Sequence, residues 1–355
     1  MYQLSTKADT SVVAAWRTAV LVGAGRMGQA HGQALAAMGV PLVAVCDRRP
    51  EARESTGISL GIPAERRFAD ADSLYRQVER PDLVVVATTA DSHCAQVERA
   101  AAAGARAILC EKPLATSVAD CDTMIARCRD SGSLLAVNHQ MRFMDQYLAV
   151  KAVLESGALG RLASMTAIGG CYGLAMNGSH YVEALMVLTG STPASASAWF
   201  SGDPVPNPRG PQFFDQAGEM RIVTADGRRL NLVIGADQGH GMTVTYAGAY
   251  GHIFVDELAG EMIVTERLAE HRGQPATRYG MPSQRRCLQF PVADNVGPTR
   301  AVLEALRAEA GYPDGETGRT VVATLAACWA SAGSDGRAID LATLGDNRAL
   351  RFPWA

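Results

Sequence analysis

Residues 20–40 read VLVGAGRMGQAHGQALAAMGV, and the fold turns on how that stretch is understood. An apolar triplet, Val20 to Val22, runs into glycines at 23, 25 and 28, and small residues follow to a stop at Gly39. The order is strand, glycine-rich turn, helix. Gly23 permits the tight turn, Gly25 lets the backbone approach a pyrophosphate, and Gly28 lets the helix lie close on the sheet. The phosphates would sit on the helix N-terminus, where free N–H groups and the macrodipole favour anions. The pattern alone also fits a glycine-rich helix entry with no ligand. Asp47 tips the reading: it ends the next strand, PLVAVCD, where an acid can take a ribose 2′-hydroxyl. The turn is expected to hold a dinucleotide through Gly23, Gly25, Arg26, Met27 and Gly28, with Asp47 and Arg48 at its ribose end. Asp47 repels a 2′-phosphate, so NAD is the expected cofactor; Arg48 and Arg49 leave NADP open.

Outward from this turn, short apolar runs alternate with helical stretches to about residue 136. The runs PLVAVCD, DLVVVATT, RAILCEKP and SLLAVNHQ are apolar on both faces. Such strands predict a doubly wound parallel sheet covered by helices on both sides, an α/β fold. After Arg142 the texture changes. Two helices, FMDQYLAVKAVLESGALG and NGSHYVEALMVLTG, accompany alternating runs such as RRLNLVIGA, MTVTYAGAY and EMIVTERL. That alternation predicts an α+β domain with an open, mostly antiparallel sheet. The stretch GDPVPNPRGPQFFDQ, 202–216, reads as a long loop, and helices are expected at about 294–310 and 316–332. The expected domains are a loosely held extension at 1–17, a dinucleotide-binding domain at 18–142 and a second domain at 143–355, whose last helix packs back on the first.

Composition excludes several classes. The chain has 355 residues, 48% of them hydrophobic and 19% charged, with a formal net charge of −3. Nothing basic and clustered argues for nucleic acid or a membrane surface, and no run approaches a spanning helix. Eight cysteines form no CxxC pair, and several lie in apolar runs, so all are read as reduced. The opening residues show no basic stretch followed by an apolar core, and a cytoplasmic protein is expected. Histidines 31, 240, 252 and 271 lack metal-ligand spacing, and no metal site is expected.

ILCEKPLA, 108–115, follows a buried strand at the carboxyl edge of the sheet, where open α/β folds bind ligands. Lys112 there is poised over the cofactor, beside Pro113, whose preceding bond can be cis. Taken with GAGRMG, CDRRPE, VATTADSH, VNHQMRF and GSHYVEALMVLTG, in that order over roughly residues 18–190, the chain resembles the Gfo/Idh/MocA family of oxidoreductases. The resemblance implies a Rossmann domain that binds NAD(P) and a second sheet lying over the nicotinamide. That sheet would join homodimers or homotetramers. It also implies a sugar, nucleotide-sugar or cyclitol as substrate. The family lysine falls on Lys112, its helix-entry histidine on His180, and its T-P-x-x-x-H stretch on Thr88, Thr89 and His93, with Glu111 beside the lysine. The family often carries an aspartate four residues before that histidine. Here the residue is Met176, with Asn177 as the nearest polar neighbour, and Thr89 stands in place of proline.

A free lysine titrates near about 10.4, so Lys112 must be lowered by burial and by nearby positive charge to act as a base. His180 is expected at a helix start, with Ser179 as N-cap and Gly190 as stop, where the dipole keeps it neutral for proton transfer or substrate contact. Asn138, His139, Arg142 and Asn177 are candidate substrate contacts, with hinge hydrogen bonding as the alternative for NHQMR. His93 reads as a cofactor contact or a cap, and Glu183 as a partner of the helix dipole. The function expected is NAD(P)-dependent hydride transfer at a hydroxyl or keto carbon. The alternatives are a cofactor-binding sensor without turnover, which Met176 keeps open, and an epimerase or eliminating enzyme that uses NAD transiently.

Overall fold

A computed structural model describes residues 15–170, 173–207, 209–277, 279–291 and 294–354. Its first half alternates β1 (Ala19–Val22), α1 (Arg26–Ala37), β2 (Leu42–Cys46), α2 (Pro50–Ser59), β3 (Arg67–Phe68), α3 (Ala71–Gln77) and β4 (Leu83–Val86). It continues through α4 (Ala90–Ala102), β5 (Ala107–Cys110), α5 (Val118–Ser131) and β6 (Leu134–Val137). The strands form one parallel sheet in the order β3-β2-β1-β4-β5-β6. β1, β4 and β5 are buried along their whole length, as strands covered on both faces must be. The carboxyl ends of β1, β2, β4, β5 and β6 bring the glycine turn, Asp47, Thr88, Lys112 and Asn138 to one edge.

The second half begins with α6 (Asp145–Glu155), β7 (Leu162–Gly170) and α7 (Ser179–Thr189). The strands β8 (Pro193–Pro206), β9 (Phe214–Thr224), β10 (Arg229–Gly235), β11 (Thr243–Gly248), β12 (Gly251–Asp256), β13 (Glu261–Arg267) and β14 (Ser283–Gln289) follow. Two helices, α8 (Val296–Arg307) and α9 (Gly315–Ala332), and a short β15 (Ile339–Asp340) close the described chain. Among the described residues the second sheet runs β14-β13-β12-β11-β7-β10-β9-β8-β15. Every pairing in it is antiparallel except β7 with β10.

Both final helices pack on the first half. Val302, Leu303 and Leu306 of α8 share a core cluster with Leu21 and Leu35, and Gly318 of α9 lies against Val137 and Leu114. A second cluster runs from Val20 through Val321 and Val322 to Leu230 and Val264, so the two sheets share one apolar interior. Two expectations need correction. The extension is held from its described end: Trp16 is buried, and the Arg17 and Thr18 amides donate to Asp82; residues 1–14 lie outside the described residues. The 202–216 stretch is not all loop, because β8 extends to Pro206 and β9 starts at Phe214. Among the described residues β8 has β9 as its only strand partner beyond Ser195 and Ala196, and the Ala198 amide donates to the Ser331 hydroxyl of α9; proline is tolerated at such a sheet edge.

Candidate active site

The three glycines of the turn differ in what they permit. Gly23 has φ +103, and a Cβ there would stand 2.5 Å from the Ala87 carbonyl group. At Gly28 a Cβ would stand 2.0 Å from the Gly23 carbonyl oxygen. Both positions are set by packing. At Gly25 a Cβ would meet only the Arg49 guanidinium, at 3.7 Å. Gly25 is the N-cap of α1 with no side-chain capping bond, and Arg26 next to it is exposed. An uncapped helix N-terminus under a space that only a missing Cβ keeps open fits a pyrophosphate.

Asp47 sits beside this cradle. It accepts the Ala24 amide at 2.8 Å and the Arg49 amide at 2.9 Å, and pairs with the Arg49 guanidinium at 3.2 Å. Burial pushes its carboxyl upward, but these bonds from Arg49 and Ala24 win and hold it below the usual range. The arginine paired with Asp47 is therefore Arg49; Arg48 is exposed and joins no contact with Asp47 among the described residues.

Several expected ligand contacts turn inward instead. Glu111 meets His31 Nε2 at 2.7 Å and Asn138 Nδ2 at 2.8 Å, and Asn138 reaches Thr299 on α8. Burial raises the Glu111 carboxyl, yet the hydrogen bond and charge of His31, Lys112 and Asn138 bring it to about 2. Glu111 and Asn138 thus tie α1, β5, β6 and α8 together beneath the site. His93 is buried, with Nδ1 3.0 Å from the Pro113 carbonyl and Nε2 3.1 Å from that of Thr88. Its ring braces two loops and is not offered to a cofactor, although Thr88 and Thr89 remain part-exposed at that edge. Arg142 is engaged too. Its Nε donates to the buried Glu183 at 2.6 Å, pinning the turn after β6 to α7.

Lys112 lies near enough to His180 for its charge to act on the imidazole. Lys112 precedes a cis peptide to Pro113, and its Nζ donates at 2.5 Å to the Met176 carbonyl, in a π-turn at Leu174–Gly178 that leads into α7. Burial pushes the lysine down; Glu111 and Asp215 pull it up while Arg209 and Arg26 lower it, and it rests at about 8. His139 stands edge-on to His180, with ring centroids 5.8 Å apart. Both nitrogens of His139 and Nδ1 of His180 are buried without a hydrogen-bond partner. Such orphaned groups suit a polar ligand. Burial, then Lys112 and His139, hold His180 well below its ordinary range, so it is neutral. The cause differs from the expected one. Ser179 is already helical, and its hydroxyl donates to the Ala175 carbonyl instead of capping α7; Gly190 does end that helix, in the left-handed region. Asn177 is part-exposed on the same turn.

One residue escaped the sequence reading. Asp215, from β9, is 1% exposed and accepts the Ala175 and Met176 amides at 2.9 and 2.7 Å. Its signal was faint: an acid in phase with the buried Ala217, within a run read as loop. Among the described residues no group of three His, Cys, Asp or Glu side chains is arranged to hold a metal ion.

The fold and the cradle define an α/β dinucleotide-site protein with an appended, mostly antiparallel sheet. Residues 17–139 match the model of the Gfo/Idh/MocA oxidoreductase family, described by its NAD-binding Rossmann fold. A D-apiose dehydrogenase of Rhizobium rhizogenes is 43% identical over 122 residues, 34% of this chain and 34% of that protein. An inositol 2-dehydrogenase of Rhizobium meliloti is 33% identical over 147 residues, 41% of this chain and 43% of that protein. The chain thus aligns with less than half the length of these relatives. Across nearly the whole chain the fold resembles an oxidoreductase from Agrobacterium radiobacter, solved with NAD+, L-tartaric acid and magnesium. The TM-score is 0.77 at 21% identity, covering 93% of this chain and 100% of that one.

Proposed function

We propose that this protein is an NAD(P)-dependent oxidoreductase. It would move a hydride between the nicotinamide and a hydroxyl or keto carbon of a sugar, nucleotide-sugar or cyclitol. The observation that carries this reading is the nearness of Lys112 to His180 at the strand edge that bears the glycine cradle. The names of the D-apiose and inositol dehydrogenases support the substrate class. The NAD+ of the structural relative supports the cofactor. Asp47 favours NAD; Arg49 leaves NADP usable.

The residues that would hold the dinucleotide are Gly25, Arg26 and Met27 at the α1 N-terminus, with Asp47 and Arg49 at the ribose. The bound nicotinamide supplies the hydride acceptor or donor. Lys112 handles the substrate oxygen. Near neutral pH its two forms are both accessible, so the amine removes a hydroxyl proton in oxidation and the ammonium donates one in reduction. His180 and His139, both neutral, orient hydroxyls by hydrogen bonds. Assembly through the second sheet belongs to the same reading, supported by exposed Trp199, Phe254 and Leu288 on β8, β12 and β14. A cytoplasmic setting is supported by the free thiols of all described cysteines. No helix among the described residues is long and apolar enough to cross a membrane.

The test is a panel of sugars and cyclitols with NAD+ or NADP+, read by absorbance of the reduced nicotinamide, alongside NADH binding by fluorescence. Wild-type protein is expected to turn over at least one polyol. Lys112→Met is expected to bind NADH normally and lose about a thousandfold in kcat. Binding without turnover across the panel would favour the sensor. No binding at all would end the reading.

A further inference from the structure

Met176 leaves Lys112 without the acid that the family motif places there, and the structure brings another carboxylate to the same turn. Asp215 opens β9 in the second sheet. Its Oδ1 accepts the Ala175 and Gln216 amides, each at 2.9 Å, and its Oδ2 accepts the Met176 amide at 2.7 Å. The turn closes around this carboxylate so tightly that a Cβ on Gly173 would lie 2.3 Å from Oδ2. Met176 then presents its carbonyl to Lys112 Nζ at 2.5 Å. Its own side chain points elsewhere, with Sδ 3.3 Å from Asn207 Nδ2.

We propose that Asp215 is the positioning residue for Lys112: through the amides of Ala175 and Met176 it holds the π-turn so that the Met176 carbonyl aims the lysine amine. Three N–H donors converging on one buried carboxylate fix a backbone more firmly than neutral acceptors would. The Met176 carbonyl accepts a hydrogen bond and cannot take a proton, so it orients the amine without discharging it. The charge of Asp215 acts on the same amine. The groups facing Lys112 are Glu111 and Asp215, which favour the ammonium, Arg26 and Arg209, which oppose it, and the neutral rings of His139 and His180. Glu111 is committed to His31 and Asn138. Asp215 is the carboxylate that the second sheet adds.

The consequence for turnover rests on the oxidoreductase reading; the coupling to Lys112 does not. The sequence holds three lysines, at 7, 112 and 151. Competitive acetylation across pH, read by peptide mass spectrometry, therefore reports Lys112 directly, with the exposed Lys151 as internal reference. In Asp215→Asn and Asp215→Ser the Lys112 midpoint is expected to fall by about half a pH unit or more, with Lys151 unmoved. Their kcat is expected to drop about tenfold or more, with NADH affinity within about twofold. Asp215→Ser covers the case in which the asparagine variant does not fold. An unmoved midpoint in both folded single variants, or a loss seen only in NADH affinity, would overturn the proposal. Absence of turnover by the wild type would strike the oxidoreductase reading alone, because the acetylation result stands without a substrate.

Discussion

His31 Nε2 and Glu111 Oε1 meet at 2.7 Å with both side chains buried, and this contact anchors the helix of the glycine turn to the strand that delivers Lys112. The Glu111 carboxyl titrates at about 2 in the fold against 4.5 for the free group. A depressed carboxylate adds stability that is complete above the unfolded value and is lost as pH falls through the folded one. The loss therefore falls between pH 4.5 and about 2. Glu111→Gln is expected to cost about 3 kcal/mol at neutral pH and to flatten this part of the stability curve. Urea unfolding as a function of pH reads both effects. A variant as stable as wild type at neutral pH would contradict the role given to this pair.

The glycines of the turn separate packing from binding. Gly28→Ala drives a Cβ to 2.0 Å from the Gly23 carbonyl, and backbone cannot yield cheaply there. Its expected cost is about 3 kcal/mol or more. Gly25→Ala adds a methyl whose nearest neighbour is Arg49 at 3.7 Å, on backbone that alanine adopts readily. It is expected to melt within about 3 °C of wild type and to lose about tenfold in NADH affinity. Calorimetry and fluorescence titration on the same samples distinguish the two. Normal NADH binding by Gly25→Ala would remove the phosphates from α1.

The glycine turn, the parallel sheet and the α7 stop at Gly190 were legible because local chemistry dictates each. What was not legible depends on tertiary partners. β14 is SQRRCLQ, exposed throughout, and exists because β13 offers it a ladder, not because its residues alternate. Asp215 lies about forty residues from the turn it holds, within a proline-rich stretch that hid the start of β9. Glu111, Asn138 and Arg142 carry the residue types of a ligand site, yet their partners are His31, Thr299 and Glu183, which sequence spacing cannot pair.

Under the proposed function, Asp47 and Arg49 are expected to set which dinucleotide the turn prefers. Asp47→Asn keeps an acceptor for the Ala24 amide and removes the charge that opposes a 2′-phosphate. The ratio of kcat/KM for NAD+ over NADP+ is expected to fall about tenfold or more in this variant. Arg49→Ala is expected to weaken NADP+ use, whereas Arg48→Ala, exposed and off the pair, leaves the ratio within about twofold. A strong effect at Arg48 would reverse the assignment made from the Asp47 contact.

His93 offers its ring to the carbonyls of Thr88, Pro113 and Leu114. His93→Phe removes the one ring N–H that a neutral imidazole offers these carbonyls and is expected to cost about 1–3 kcal/mol in stability. Its NADH affinity is expected to stay within about threefold, because the ring braces the loops from beneath. Thermal unfolding and NADH titration report the two sides. An intact melting temperature with strongly weakened NADH binding would return His93 to the cofactor.

Under the proposed function, Lys112 is expected to make the direction of reaction depend on pH. Burial is the main cause that lowers its ammonium, and the balance with Glu111, Arg209, Asp215 and Arg26 leaves it at about 8. Oxidation needs the neutral amine to receive the hydroxyl proton, so kcat/KM for polyol oxidation is expected to rise with pH and level off above about 8. Reduction needs the ammonium, so its kcat/KM is expected to hold below that value and fall above it. His180 and His139 lie too far below neutrality to shape either limb. Initial rates in both directions over a buffered pH series, repeated with Lys112→Met, test the assignment. The residual rate of Lys112→Met is expected to lose the inflection; its survival there would assign the proton transfer to another group.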